Sequence, residues 1–195
     1  MYARHERLTG GRLRSPKSIR HNGKRLSEIL EAHQRFVRGE DTGVRADLAG
    51  VDLSKADLQG ANLSYANLQG ADLEGSNLRE AKLSFADLSK SKLVRADLRK
   101  ADLTEANANG ADFSGAHIGG AELFRADLRS AIFCRANLGA TNFRDAQVRG
   151  ADFRGADMTT TILRETNLEG VDLSGLDLST TLLPRGYKAT TAGKS

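Results

Sequence analysis

Residues 46–75 read ADLAG VDLSK ADLQG ANLSY ANLQG ADLEG, and the reading of this stretch decides the fold. Every fifth position is a large apolar residue, Leu48, Leu53, Leu58 and onward. Two positions earlier stands a small residue, mostly Ala, and between the two stands Asp or Asn. The register continues without insertion to Arg185, which makes 28 consecutive repeats. At the central position Leu gives way only to Ala108, Phe113, Ile118, Phe133, Phe143, Val148, Phe153 and Met158. Such self-similarity must be settled before any local pattern is read. A period of five matches neither the 3.6 of an α-helix nor the 2.0 of a long strand. It matches a chain that turns one corner per repeat. The centre and the small residue two before it are one strand step apart, so both face inward. The other three positions are polar or Gly and face outward. Gly fills the last position in 11 of the 28 repeats, where a turn calls for positive φ.

The A(D/N)LXX pattern resembles the pentapeptide-repeat family over 46–185. The resemblance implies an all-β solenoid, a right-handed quadrilateral β-helix in which four corners close a coil of twenty residues. About seven coils would follow, and at the β-spacing of about 4.8 Å the rod would be roughly 34 Å long. Each coil touches only its neighbours, so both ends are edges that need covering. A twenty-residue coil places Phe113, Phe133 and Phe153 in one stacking column. Ala108 directly before Phe113 suggests volume compensation in a close-packed interior. Larger residues replace the small inward one at Val51, Val171 and Leu176, where they are expected to seal the ends.

The ends differ from the body. Residues 1–45 carry 11 Lys/Arg against 5 Asp/Glu, whereas 46–185 carry 16 against 20, so the basic charge belongs to the termini. Residues 1–24, with seven cations and one acid, read as a disordered basic tail whose cations are Arg4, Arg7, Arg12, Arg14, Lys17, Arg20 and Lys24, continued by Arg25. The Arg-rich, acid-poor composition also weakly resembles an organelle transit peptide. Residues 25–45 read as a capping helix and linker. Leu26, Ile29, Leu30, His33 and Val37 recur at helical spacing, and Gly39 is placed to end the helix. Pro184 blocks further strand pairing, and 186–195 read as a second disordered tail.

Chemistry is hard to find. His5, His21, His33 and His117 are not at metal-ligand spacing from one another or from Cys134, and no phosphate-binding loop occurs. Thirteen Asp residues precede centres; they read as a repeat-imposed polar ladder that bonds backbone amides. No enzyme activity, cofactor, metal or small-molecule substrate is expected. A single cysteine fits a reducing compartment, and with no apolar run long enough for a membrane span the expected location is cytoplasmic.

Five of seven large apolar residues at outward positions share one face: Tyr65, Phe85, Phe124, Ile162 and Leu182, the other two being Val94 and Ile132. With Arg125, Arg144 and Arg164 they form the candidate surface for a protein partner or a second copy, since Tyr, Phe and Arg are enriched in interface cores. The leading reading is a non-catalytic interaction or scaffold module. The alternative comes from the resemblance: some pentapeptide-repeat proteins, the quinolone-resistance group among them, mimic duplex DNA and bind gyrase, a type II topoisomerase. A body of net −4 with seven Arg between 125 and 164 argues against that mimicry. A third reading is nonspecific attraction of nucleic acid or an anionic surface to the basic tail.

Overall fold

The computed structural model describes residues 12–187. From Asp47 to Gln147, parallel bridges join each residue before a centre to the one twenty positions later, Asp47 to Asn67, Asn67 to Asp87 and so on, and Ile162 joins Leu182 in the same way. The chain therefore coils with a twenty-residue period, and each coil lies in register on the next. The centres and the small residues fill the interior; nearly all of them from Ala46 to Leu163 are buried.

The repeat satisfies its own backbone. In the unit around Leu53, the Leu53 N–H donates to the Asp72 carbonyl at 2.7 Å, and the Lys55 N–H to that of Glu74 at 2.8 Å. The Ala56 N–H closes the corner on the Leu53 carbonyl at 3.0 Å, and the Asp57 N–H donates outward to Arg14 at 2.9 Å. The one remaining donor, the Ser54 N–H, is taken by Asp52 Oδ1 at 2.9 Å. The same bond recurs at Asp72, Asp87, Asp102, Asp112, Asp152 and Asp157. This is why Asp or Asn precedes the centre: its side-chain oxygen takes the one N–H per repeat that has no backbone partner. From Gly50 to Gly175 the residue at the end of the corner is left-handed, in Gly50 at φ 66° and equally in Lys55 at φ 54° and Phe85 at φ 60°. Gly is thus favoured at this corner but not required.

The phenylalanine column stacks as its spacing predicts. Phe133 lies 4.9 Å from Phe113 and 5.2 Å from Phe153, the rings within 6° of parallel, and Phe143 meets Phe133 edge-on at 5.7 Å.

Residues 12–24 correct the expectation of disorder over 1–24. Arg14 pairs in parallel with Ala56 on the edge of the first coil. Its guanidinium reaches Asp52 and the Ser54 carbonyl. Ile19 is buried in the core, and strands β1 (Arg20–His21) and β2 (Lys24–Arg25) form a hairpin across Asn22 and Gly23. The segment is anchored by Ile19 and, at its junction with the following helix, Leu26, both buried, while Leu13 is half-buried. Arg4 and Arg7 lie outside the described residues.

Helix α1 (Leu26–Val37) starts where the Glu28 carboxylate accepts the Arg25 N–H at 2.7 Å. It ends at Gly39, φ 73°, with the Gly39 N–H on Phe36 and the Glu40 N–H on Arg35, a Schellman closure. Leu26 and His33 are buried and Ile29 and Leu30 pack on the core, while His33 Nδ1 accepts the Ala46 N–H at 3.0 Å.

Among the described residues the far end is not sealed. Val171 and Leu176 remain half-buried, and the backbone bonds that join coils elsewhere are absent between 148–160 and 167–180, where the Thr160 N–H donates instead to Thr180 Oγ1 at 3.1 Å. Thr166 Oγ1 and Thr181 Oγ1 still donate to the carbonyls of Phe143 and Met158, and Leu163 pairs with Leu182. Val51 holds the same inward position in the first coil and is buried with its coil-to-coil bonds intact, so a bulky residue there does not by itself open the coil. Tyr187, expected in a disordered tail, packs against the core; residues 188–195 lie outside the described residues.

Candidate interaction face

The bridge series Asn62, Lys82, Asp102, Glu122, Asn142, Ile162, Leu182 defines one face of the coil. All the proposed interface residues sit on it or at its corner. Tyr65 and Phe85 are the most exposed aromatics among the described residues, 47% and 44% accessible, and their rings stack 4.9 Å apart within 4° of parallel. Both project from left-handed corner positions, φ 68° and 60°. The Arg45 Nε donates to the Tyr65 carbonyl at 2.5 Å.

The eight residues are not brought into one patch. Below Phe85 the corner passes to Glu105, Arg125, Asp145 and Glu165. The Arg125 guanidinium lies over the Phe124 ring at 4.7 Å, and its Nε stands 3.9 Å from Asp145. The Arg144 Nε is bonded to Glu165 at 2.6 Å. The middle of the face is therefore internally paired. Arg164 is exposed, Ile162 is half-buried, and Leu182 is exposed beside it on the next coil. The face thus has an aromatic upper part, a paired charged band and a small aliphatic lower spot.

Two exposed residues near the upper part were missed in the sequence: Val44, 60% accessible, and Phe36 on α1, 37% accessible. Val44 and Arg45 continue the five-residue register upstream of Ala46, and that was the available signal. Phe36 gave none, because its ring lies on His33 at 5.7 Å rather than in the helix core stripe.

Among the described residues, no group of three or more His, Cys, Asp or Glu could hold a metal ion, and no helix is long and apolar enough to cross a membrane. Cys134 is half-buried on a different face, and burial together with Asp152 pushes its thiol pKa up, away from a reactive thiolate. The Arg154 guanidinium bonded to Asp152 at 2.5 Å holds that carboxyl well below the usual range.

The family model for pentapeptide repeats matches residues 44–79, 81–120 and 121–159 in eight copies. The chain belongs to the pentapeptide-repeat family. No curated protein matches it. Among solved structures this pentapeptide-repeat chain is similar to HetL, a protein involved in heterocyst differentiation regulation in the cyanobacterium Nostoc sp. strain PCC 7120. The identity is 30%, over 76% of this chain and 69% of that one, with a TM-score of 0.50. It is also similar to Rfr23 from the cyanobacterium Cyanothece 51142, at 24% identity over 60% and 63% of the two chains, TM-score 0.42. QnrB1, a plasmid-mediated fluoroquinolone resistance protein, aligns at 22% identity over 69% and 85%, TM-score 0.41. These solved structures share the pentapeptide-repeat fold.

Proposed function

We propose that the chain is a non-catalytic protein-interaction module: a right-handed quadrilateral rod of seven coils, covered at its first coil by 12–37, that presents the Tyr65–Phe85 face to a partner protein. The observation that carries this reading is the exposed, ring-stacked pair Tyr65–Phe85. Two large aromatics held half in water, at corners where Gly would be unstrained, lose burial and bear conformational cost without a core to compensate. Val44 and Arg45 extend the same surface upward. The interior supports the absence of catalysis in this reading, since Leu, Phe and Ala fill it where a substrate pocket would lie.

The lower residues Arg125 and Arg144 serve the rod's own ion pairs, and recognition rests on Tyr65 and Phe85 with Val44. The gyrase reading is weaker, because exposed Arg135, Arg144 and Arg164 interrupt any continuous negative surface. A photo-crosslinking residue placed at Phe85 in the full chain, expressed in its native cells, tests the proposal. A discrete crosslinked product is expected from position 85 and not from Lys90 on the neighbouring face. It should disappear on Tyr65→Ser. Equal labelling from both positions would overturn the assignment of this face.

A further inference from the structure

The stacked pair Tyr65–Phe85 is flanked, on its own corner column, by two charges without an opposite partner. One coil above Tyr65 stands Arg45, exposed, with its Nε on the Tyr65 carbonyl and no ion pair among the described residues. One coil below Phe85 stands Glu105, exposed and equally without an ion pair among the described residues. Further down the column the charges are already used: Arg125 stands 3.9 Å from Asp145, and Glu165 accepts the Arg144 Nε at 2.6 Å. The column therefore reads cation, Tyr, Phe, anion over four successive coils, a height of about 14 Å at the β-spacing. Turned end over end, that order is complementary to itself.

We infer that the partner of this face is a second copy of the chain, docked antiparallel about a two-fold axis that passes between Tyr65 and Phe85. The inference rests on the reading of this face as the interaction surface and names its occupant. Tyr65 then lies on the partner's Phe85, and Phe85 on the partner's Tyr65. Arg45 meets the partner's Glu105, and Glu105 the partner's Arg45, as an isologous contact requires. The neighbouring columns agree. Lys82 faces the partner's Asn62, while Asp87 and Asp47 face the partner's Asn67 and the partner's Asn107, so no like charges oppose each other there. In the cap Arg38 is taken by Glu40 at 3.7 Å, and Asp41 makes no ion pair with Arg45 among the described residues. Other registers are worse. A slip of one coil, to Phe85 on the partner's Phe85, sets Arg45 against the partner's Arg125 and Tyr65 against the partner's Glu105. The opposite slip sets Arg45 against the partner's Phe85. Parallel copies set Arg45 on the partner's Arg45 and Glu105 on the partner's Glu105.

The test is sedimentation equilibrium on the full chain up to about 0.5 mM, because an interface of four coil levels lies at the small end of specific contacts. The wild type is expected to pass reversibly from monomer to dimer and no further, since an isologous contact closes on itself. R45E and E105R each set like charges against each other at both ends of the contact, and each should raise the dissociation constant at least about tenfold. The double variant R45E/E105R should dimerise like wild type. An equimolar mixture of R45E with E105R should form a mixed dimer, because each supplies the charge the other lacks. Circular dichroism checks that the variants fold, and E105R removes no hydrogen bond or ion pair of the described residues, so it decides the matter even if loss of the Arg45–Tyr65 bond unsettles R45E. A wild type that stays monomeric at the highest concentration, a dimer indifferent to E105R, or a double variant that stays apart while folded would each overturn the inference. In the first case a crosslink in cells from position 85 to a different protein would keep the interaction face and change its occupant, whereas no crosslink at all would remove the face as well.

Discussion

Phe133→Ala tests the interior where it is most tightly built. The ring is fully buried, sandwiched between Phe113 at 4.9 Å and Phe153 at 5.2 Å, and met on edge by Phe143. Removing it deletes the whole side-chain transfer term and leaves a void closed above and below by other rings. The backbone cannot collapse into that void, because the Phe133 N–H is held on Asp152 at 2.7 Å and the Phe133 carbonyl accepts the Ala136 N–H at 3.0 Å. Truncation of a buried Phe under such constraint costs about 3–5 kcal/mol. Phe133→Leu restores the residue found at Leu53, Leu73 and Leu93 in the same column and should cost no more than about 1.5 kcal/mol. Guanidinium denaturation followed by circular dichroism reads both values. Contacts run only between neighbouring coils, so hydrogen exchange should show protection lost first around 113–153. A cost below about 1.5 kcal/mol for Phe133→Ala, equal to that of Phe133→Leu, would refute the argument that the stack is rigidly framed.

Two further outcomes follow from single hydrogen bonds. Asp157 Oδ1 accepts the Thr159 N–H at 3.0 Å and the Thr159 hydroxyl at 2.6 Å, so Asp157→Ala should cost about 1 kcal/mol while Asp157→Asn, which keeps the amide oxygen, stays near wild type in the same denaturation assay. His33 is fully buried, and burial together with the nearby Arg45 charge holds its pKa below the ordinary value, with Nδ1 committed as acceptor to the Ala46 N–H. A lowered folded-state pKa means that the unfolded chain takes up a proton the folded chain excludes. His33 therefore contributes fully above about pH 6.5, and stability falls as the pH drops through and below that value. Denaturation midpoints at pH 7.5 and 5.5 should show a smaller pH difference in His33→Gln than in wild type; an unchanged difference would remove His33 as its source.

Most of the fold was legible because the repeat states it directly. Leu at every fifth position and a small residue two before it define an interior, and the twenty-residue coil implied by the family placed Phe113, Phe133 and Phe153 in one stack. The role of Asp and Asn was also readable, since a chain that turns every five residues leaves one N–H per corner without a strand partner. Residues 12–25 were not readable, because Leu13 and Ile19 scattered among cations carry no period; the edge of the first coil is where Ile19 is buried. The last coil failed for a related reason. Val171 and Leu176 look like plugs in sequence, yet both stay half-buried beside a coil that lacks the usual backbone bonds to its neighbour among the described residues, and composition does not reveal that. The candidate face was legible as a column of outward residues; the pairing of Arg125 with Asp145 and Arg144 with Glu165 across adjacent coils was not, because it depends on side-chain reach between coils.

Residues twenty apart lie side by side on the rod. Paired cysteines in a Cys134→Ser background measure it: Lys90→Cys combined in turn with Glu105→Cys, Gly110→Cys or Gly115→Cys, under mild oxidation. Adjacent strands about 4.8 Å apart lie within disulfide reach, so the account predicts rapid bridging for the 90–110 pair alone. Faster bridging of 90–105 or 90–115 would contradict it.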